Sequence, residues 1–494
     1  MELSTDLLIA AIAARPENKP ILLSDDTQLN ASELLAAIDD CAKALHGTHT
    51  LALLGDNTIE WVIADLAALF HRIPLLPLPT FFTSAQIIHA LDQAGVDTVL
   101  TDQPQKILEL NAGFGLFERQ DRLFLLRRTV AHVALPPGTA KISFTSGSTG
   151  DPKGVCLSTD GFIDTARSLT ERLRDLSIER HLAVLPFSLL LENVAGIYAP
   201  LLSGAEIHVR TLEHLGWKGM HGFSPQYLQE SVIRHNPSTM ILVPELLKAW
   251  ALFLETTGQS APGSLKYVAV GGSRTEYSLL TRARDYGIPA YQGYGLTECG
   301  SVVSLNRPGD DGDGVGRPLP HVDVKVNDGE IDIQSRAFLG YVGDTKHASD
   351  SAFSSGDLGY FDEEEHLHLS GRKKNLLISS YGRNISPEWV ESILLDQPEL
   401  SQAVVFGEGQ NALSAVIVPR TDLSIDRISD AVSRANQRLP GYARIKYWLK
   451  APPFTLENGL ATGNNRPIRP AIFTHYAYEL EAFYLRKEQH HVVL

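Results

Sequence analysis

Cysteine and methionine are scarce: each occurs three times in 494 residues. Cys41, Cys156 and Cys299 are too few and too scattered for a disulfide framework or a close-spaced cysteine metal site. A reduced, cytoplasmic protein is the simplest expectation. Positive charge is also short. Lys and Arg number 43 against 58 Asp and Glu, a formal net charge of −15, which argues against nucleic acid as a partner. A long apolar run is missing. The most apolar stretch, residues 61–78, is broken by Asp65, His71, Arg72 and two prolines, so no membrane span is expected. Residues 1–14 lack a basic leader and read as a short amphipathic helix rather than a signal peptide. His490-His491 has no Cys/His spacing around it and reads as a solvated tail.

What is present suffices for a large layered protein. Hydrophobic residues make up 44% of the chain, and the length predicts two or three domains. Strand and helix patterns alternate with short connections over residues 20–135. A strand at 51–54 precedes a helix at 60–70. A helix at 84–94, with Ser84 as its N-cap, precedes a strand at 96–101. This alternation predicts a layered α/β architecture. Periodicity further predicts a helix at 160–172, a strand at 181–186, a strand and helix over 240–254 and an apolar strand at 265–270. Beyond 374 a compact second α/β unit is expected, with helices at 386–395, 425–437 and 471–485 and strands at 403–406 and 413–418.

Four glycine-bearing motifs punctuate this pattern. In Thr145-Ser146-Gly147-Ser148-Thr149-Gly150-Asp151-Pro152-Lys153-Gly154, backbone N–H groups and hydroxyls form an anion nest, and Lys153 adds a point charge suited to phosphate. The order Lys153-Gly154-Val155 excludes a Walker A loop. Gly271-Gly272-Ser273 ends an apolar strand, where α/β sheets present backbone to ligands. In Gln292-Gly293-Tyr294-Gly295-Leu296-Thr297-Glu298, Tyr294 offers a flat ring to a base and Glu298 a hard oxygen to Mg²⁺. In Ser355-Gly356-Asp357-Leu358-Gly359-Tyr360, the Asp357 carboxylate suits two ribose hydroxyls.

Together these stretches closely resemble the adenylate-forming superfamily, which includes acyl-CoA synthetases, luciferases and amino-acid adenylation domains. Gly314-Val315-Gly316-Arg317-Pro318 also fits the superfamily, and Tyr381-Gly382-Arg383-Asn384 resembles its long-chain acyl ligase branch more than the amino-acid branch. The resemblance implies a large N-terminal α/β domain, residues 1–373, and a small mobile α/β domain, 374–494, hinged at Lys374. It implies ATP and Mg²⁺ as cofactors, a small-molecule carboxylate as substrate and an acyl-adenylate intermediate. The acceptor would be the thiol of CoA or the phosphopantetheine of an acyl or peptidyl carrier protein. Residues 145–150, Lys153, Gly271, Gly272, Ser273, Gln292, Gly293, Tyr294, Gly295, Thr297, Asp357 and Arg372 would bind nucleotide. Glu298 and Thr145 would hold the metal and share catalysis with Lys153. Leu189, Glu192 and Gly271 would border the acid. Leu189 stands where many members carry histidine or an aromatic, and the leucines around it favour an aliphatic or aromatic acid. Glu192 reads either as an exposed or salt-bridged helix residue or as a counter-charge for a substrate amine.

One departure stands out. The superfamily carries a lysine in a mobile C-terminal loop that reaches the α-phosphate. Aligned from Asn458-Gly459-Leu460, that position is Arg466, followed by Pro467. Arginine keeps the charge but replaces an ammonium by a planar fork. An acid–thiol ligase of fatty or aromatic acids is expected. The alternatives are an amino-acid adenylation enzyme loading a carrier protein, or a catalytically impaired nucleotide-binding homologue.

Overall fold

The computed structural model describes residues 3–120, 122–145, 153–219, 222–310, 312–344, 352–380, 383–462, 466–485 and 491–493. Strand Leu51–Leu54 shows how its layers arise. Leu51 and Leu53 enter one apolar core, Ala52 and Leu54 another, as period-two alternation requires of a strand buried on both faces. The same holds beside strand Arg180–Leu182, where Ala183 enters the first core and Leu182 and Val184 a third. The first core therefore lies between two sheets and is filled by helices Ile59–Phe70 and Thr159–Arg172. Helix Ser84–Gln93 covers the outer face of one sheet. Helices Pro225–His235, Pro244–Thr257 and Tyr277–Asp285 cover the outer face of the other. The α/β class expected from the alternation is the class observed.

In the second sheet the strands Arg180–Leu182, Thr239–Leu242, Tyr267–Val270 and Ala290–Tyr294 are parallel neighbours. Their carboxyl ends share one edge of the sheet, and the loops leaving that edge carry the glycine motifs. A four-stranded antiparallel sheet over Asp323–Asn327, Glu330–Gln334, Phe353–Phe361 and Leu367–Arg372 follows. A single turn of 3₁₀ helix, Lys373–Asn375, then leads to the smaller unit. There, helices Pro387–Leu395 and Ile425–Gln437 share a core with strands Leu400–Phe406, Leu413–Pro419 and Ile445–Lys450.

Several expectations need correction. The N-cap of helix Ser84–Gln93 is Thr83, not Ser84. Thr83 accepts from the Gln86 N–H at 3.2 Å and Gln86 answers with its side chain at 3.0 Å, a capping box. The terminal helix is two, Arg469–His475 and Ala477–Leu485, because buried Tyr476 takes non-helical angles between them. His491–Val493 pairs as a parallel strand with Trp448–Lys450, so the backbone of His491 is tied down. The segment after Leu189 is a short helix, Leu190–Glu192, that opens into π-helix over Asn193–Tyr198, a geometry frequent beside functional sites.

Candidate active site

Strands Thr139–Thr145 and Lys153–Ser158 form the hairpin that carries the phosphate motif, with Thr145 opposite Lys153. Ser146, Gly147, Ser148, Thr149 and Gly150 lie outside the described residues, as do Asp151 and Pro152. Lys153 Nζ stands 5.5 Å from the Tyr341 ring centroid. The Tyr341 hydroxyl donates to Glu298 Oε1 at 3.3 Å. Glu298 is held there by the 3₁₀ turn Thr297–Cys299. Burial, then the Glu298 charge, pushes the Tyr341 hydroxyl up to about 12, so it remains a donor at neutral pH. Among the described residues, this is the one hydrogen bond that the Glu298 carboxylate accepts; a carboxylate is a hard oxygen donor of the kind that suits Mg²⁺. Tyr341 carried no sequence signal; a lone tyrosine in a short strand is common. Cys299 is fully buried and burial holds its thiol protonated, consistent with packing rather than catalysis.

A second group forms where the parallel sheet meets the antiparallel one. Asp357 and Arg372 are cross-strand partners, and Arg372 Nε lies 2.7 Å from Asp357 Oδ1. The Tyr294 hydroxyl donates to Asp357 Oδ2 at 2.7 Å. Burial raises the Asp357 pKa despite the opposing pull of Arg372 and Tyr294. Gln292 directs its amide at the Asp313 and Gly314 carbonyls, at 3.0 and 2.9 Å, so that side chain fastens the neighbouring loop. The two glycines of this motif are needed by the chain itself. A Cβ on Gly295 would sit 1.6 Å from the Ser301 carbonyl oxygen, and one on Gly293 would sit 2.9 Å from that of Ser304. Close approach here is backbone to backbone.

The third group joins the two units. Gly271, Gly272 and Ser273 follow strand Tyr267–Val270, with Gly272 at φ +91°. Arg466 reaches across from the small unit and donates through Nη2 to the Gly272 carbonyl. The Thr462 N–H donates to the Arg466 carbonyl at 2.8 Å. Surrounding protein atoms lower the Arg466 pKa, against the opposing Glu245 charge and with a smaller contribution from Arg372, although the residue is exposed. Arg466 thus meets Gly272 within electrostatic reach of Arg372, which in turn pairs with Asp357. Arg469 is committed elsewhere: it bonds Glu391 at 2.7 Å and the Val405 carbonyl at 2.6 Å. Lys374 sits exposed in the turn Lys373–Asn375.

The proposed acid wall is apolar. A Cβ on Gly271 would lie 3.5 Å from Leu191, and one on Gly272 3.5 Å from Val243. Leu189 is half-buried at the same core. Glu192 is neither exposed nor directed at a ligand. It is fully buried, 2.8 Å from His181 Nε2, and accepts the Leu185 N–H at 3.0 Å. Both of its oxygens are satisfied within the protein, which corrects the reading as a counter-charge for a substrate amine and matches its salt-bridged alternative. Sequence reasoning also missed Lys141, four residues before Thr145. Its ammonium is buried and bonded to Asp65 at 2.7 Å, to Tyr198 at 2.8 Å and to Asn193. A lone charged residue in an otherwise uncharged strand was the available signal.

Residues 9–334 match the family described as AMP-binding enzyme, and residues 374–488 match that described as AMP-binding enzyme C-terminal domain. A 2-succinylbenzoate–CoA ligase of Bacillus subtilis is 27% identical over 424 residues, 79% of this chain and 82% of that one. The O-succinylbenzoate coenzyme A synthetase structure from Bacillus subtilis, with ATP and magnesium ion, superposes with a TM-score of 0.74 at 23% identity, over 94% of this chain and 98% of that one. An anthranilate CoA ligase in complex with anthranoyl-AMP gives a TM-score of 0.78 at 18% identity, over 97% and 98% of the two chains. The structural likenesses establish the shared fold. Among the described residues, no helix is long and apolar enough to cross a membrane.

Proposed function

Since the chain belongs to the AMP-binding enzyme family, we propose that it is an acid–thiol ligase that activates a carboxylic acid with ATP and passes the acyl group to CoA. The observation that carries this reading is the meeting of Arg466 with Gly272, within electrostatic reach of the Arg372 that pairs with Asp357. A C-terminal cation comes to the loop at the end of a parallel strand, and the neighbouring Arg372 charge is paired with a carboxylate suited to ribose.

In the first half-reaction a carboxylate oxygen of the acid attacks the α-phosphorus of ATP, and pyrophosphate leaves. Asp357 accepts from the ribose hydroxyls, with Arg372 beside it. Gly271, Gly272, Ser273 and the Tyr294 motif border the base. The segment from Thr145 to Lys153 takes the phosphates, and Arg466 offsets charge developing on the α-phosphate. The Glu298 carboxylate and the Thr145 hydroxyl are hard oxygen donors that fit Mg²⁺, which when bound neutralises phosphate charge. In the second half-reaction the thiol sulfur attacks the acyl carbon, and AMP leaves as the acyl–oxygen bond breaks. Between the two, the small domain, 374–494, turns about Lys374 relative to 1–373. The wall of Leu189, Leu191 and Val243, with Glu192 closed off by His181, supports an aromatic or aliphatic acid with no amine to be recognised.

The test separates the half-reactions. Arg466→Ala should lower ATP–pyrophosphate exchange by about a hundred- to thousandfold, equivalent to roughly 2.7–4 kcal/mol. Arg466→Lys should retain exchange, and both variants should transfer from synthetic acyl-AMP to CoA nearly as the parent does. Exchange untouched in Arg466→Ala would remove Arg466 from the site. No exchange by the parent with 2-succinylbenzoate, anthranilate, benzoate or octanoate would favour the nucleotide-binding, non-ligating alternative.

A further inference from the structure

Arg466 does not reach Gly272 unaided. The segment that begins at Gly272 ends at Glu276, the residue preceding helix Tyr277–Asp285, and the small domain grips that far end as well. Arg438 Nη2 lies 3.3 Å from Glu276 Oε2, while its Nη1 lies 2.5 Å from Asp396. Asp396 also accepts from Ser278 of the large domain at 2.9 Å, and Ser392 donates to Glu276. Lys248 of the large domain donates to the Gln397 carbonyl at 3.2 Å and to that of Leu395. It thereby caps the carboxyl end of helix Pro387–Leu395, the negative pole of that helix.

The seam is partly desolvated. Glu276 and Asp396 keep 15% and 14% of their side-chain exposure while Arg438 keeps 39%, so the pairs are shielded from solvent on the carboxylate side and screened on the arginine side. It is also rigidly linked to the loop. Helix Pro387–Leu395 carries Glu391, which holds Arg469 at 2.7 Å, three residues after Arg466. One helix is therefore clamped by the large domain at its end and holds the Arg466 loop at its middle.

We propose that Lys248, Glu276, Asp396 and Arg438 form a positioning latch that docks the small domain with Arg466 on Gly272, and so controls acyl-adenylate formation without touching a substrate. This inference rests on the ligase reading for its catalytic consequence but not for its conformational one. The latch is competent only for the first half-reaction, since the loop must leave before a thiol can enter.

Two readouts test it. One is exchange of pyrophosphate beside CoA transfer from synthetic acyl-AMP, with the most active of the four acids above. The other is energy transfer between dyes on Leu116→Cys and Tyr478→Cys, positions 60% and 79% exposed, with Cys41→Ser to remove the one cysteine that is not buried. The double variant Lys248→Met/Arg438→Ala should lower exchange by about tenfold, leave transfer unchanged or faster, and reduce the docked population. Lys248→Arg, which keeps donors, should restore both in part when it replaces Lys248→Met, the remainder being the Arg438 share. If the double variant does not fold, Ser278→Ala, which removes one hydroxyl, should show the same asymmetry on a smaller scale. A parallel fall in both half-reactions, or an unchanged docked population, overturns the latch. If the parent exchanges no pyrophosphate, the ligase reading fails and energy transfer alone decides: an unchanged docked population overturns the latch, and a fall supports it.

Discussion

Lys141 and Arg372 each pair with an aspartate at 2.7 Å, and in each case a tyrosine donates to the same carboxylate, Tyr198 to Asp65 at 2.5 Å and Tyr294 to Asp357 at 2.7 Å. The chemistry is nearly the same; the surroundings are not. Lys141 and Asp65 are 3% and 0% exposed, whereas Arg372 is 52% exposed over an 8% exposed Asp357. In the closed cluster neither charge can turn to water, so the pair persists or the local structure fails. In the open cluster the arginine is solvated on one side, and a ligand with adjacent hydroxyls can share or replace its hold on Asp357 at little cost. The closed cluster also ties strand Thr139–Thr145 to the start of the π-helix through Asn193. It joins the hairpin of the phosphate motif to the segment of the proposed acid wall, and the open cluster is where we propose that the nucleotide binds.

The sharpest way to break this comparison is to remove each cation or anion in turn. Lys141→Met strands the Asp65 charge in the core and should destabilise the protein by about 3–5 kcal/mol, read as a shift in urea unfolding. Adding Asp65→Leu should recover most of that loss. A loss near zero for Lys141→Met would mean that Asp65 is relieved in some other way and that the closed cluster is not structural. Asp357→Ala should behave oppositely. Folding stability should fall by only about 1–3 kcal/mol, the cost of the stranded Tyr294 hydroxyl, because Arg372 passes to solvent, while calorimetry should show ATP binding weakened by about 1.5–3 kcal/mol. Unchanged affinity in the folded variant would remove Asp357 from the nucleotide site.

The smallest effect is a pH dependence. Burial raises the Asp357 pKa above the ordinary aspartate value. The form that accepts ribose hydroxyls without competition is the carboxylate, so affinity is fully present above that pKa and lost as pH falls through it. Adenosine, which lacks titrating phosphates, should therefore begin to bind more weakly during acidification at a higher pH than an ordinary aspartate would dictate. Asp357→Asn should bind with no such dependence. An identical acid profile in both proteins would place the titrating group elsewhere.

Much of this was legible locally. The helix expected at 425–437 is the one observed, Ile425–Gln437, and the strand expected at 51–54 is Leu51–Leu54. Their periods are written in short windows. The glycine motifs were legible for the same reason, since hydroxyl, glycine and lysine at close spacing describe one loop. The seam and the closed cluster were not. Lys141 and Asp65 are 76 residues apart, and Arg438 and Glu276 are 162 apart; neither residue of either pair has a neighbour that hints at the other. Glu192 shows the same limit from the other side. Its residue type allowed a substrate role, and only its burial against His181 assigned it to the interior.

Short-range pattern by itself determined the layered α/β class, the order of the nucleotide motifs and the arginine in the C-terminal loop. Those properties follow from period, turn chemistry and residue identity, which need no distant partner. Tertiary structure decided which charges meet and which stay wet. It made Gly295 a requirement of the Ser301 backbone, closed Glu192 with His181, and brought Arg466 to Gly272 across 194 residues of chain. Electrostatic roles depend on distance and desolvation together, and both are set only when remote segments pack.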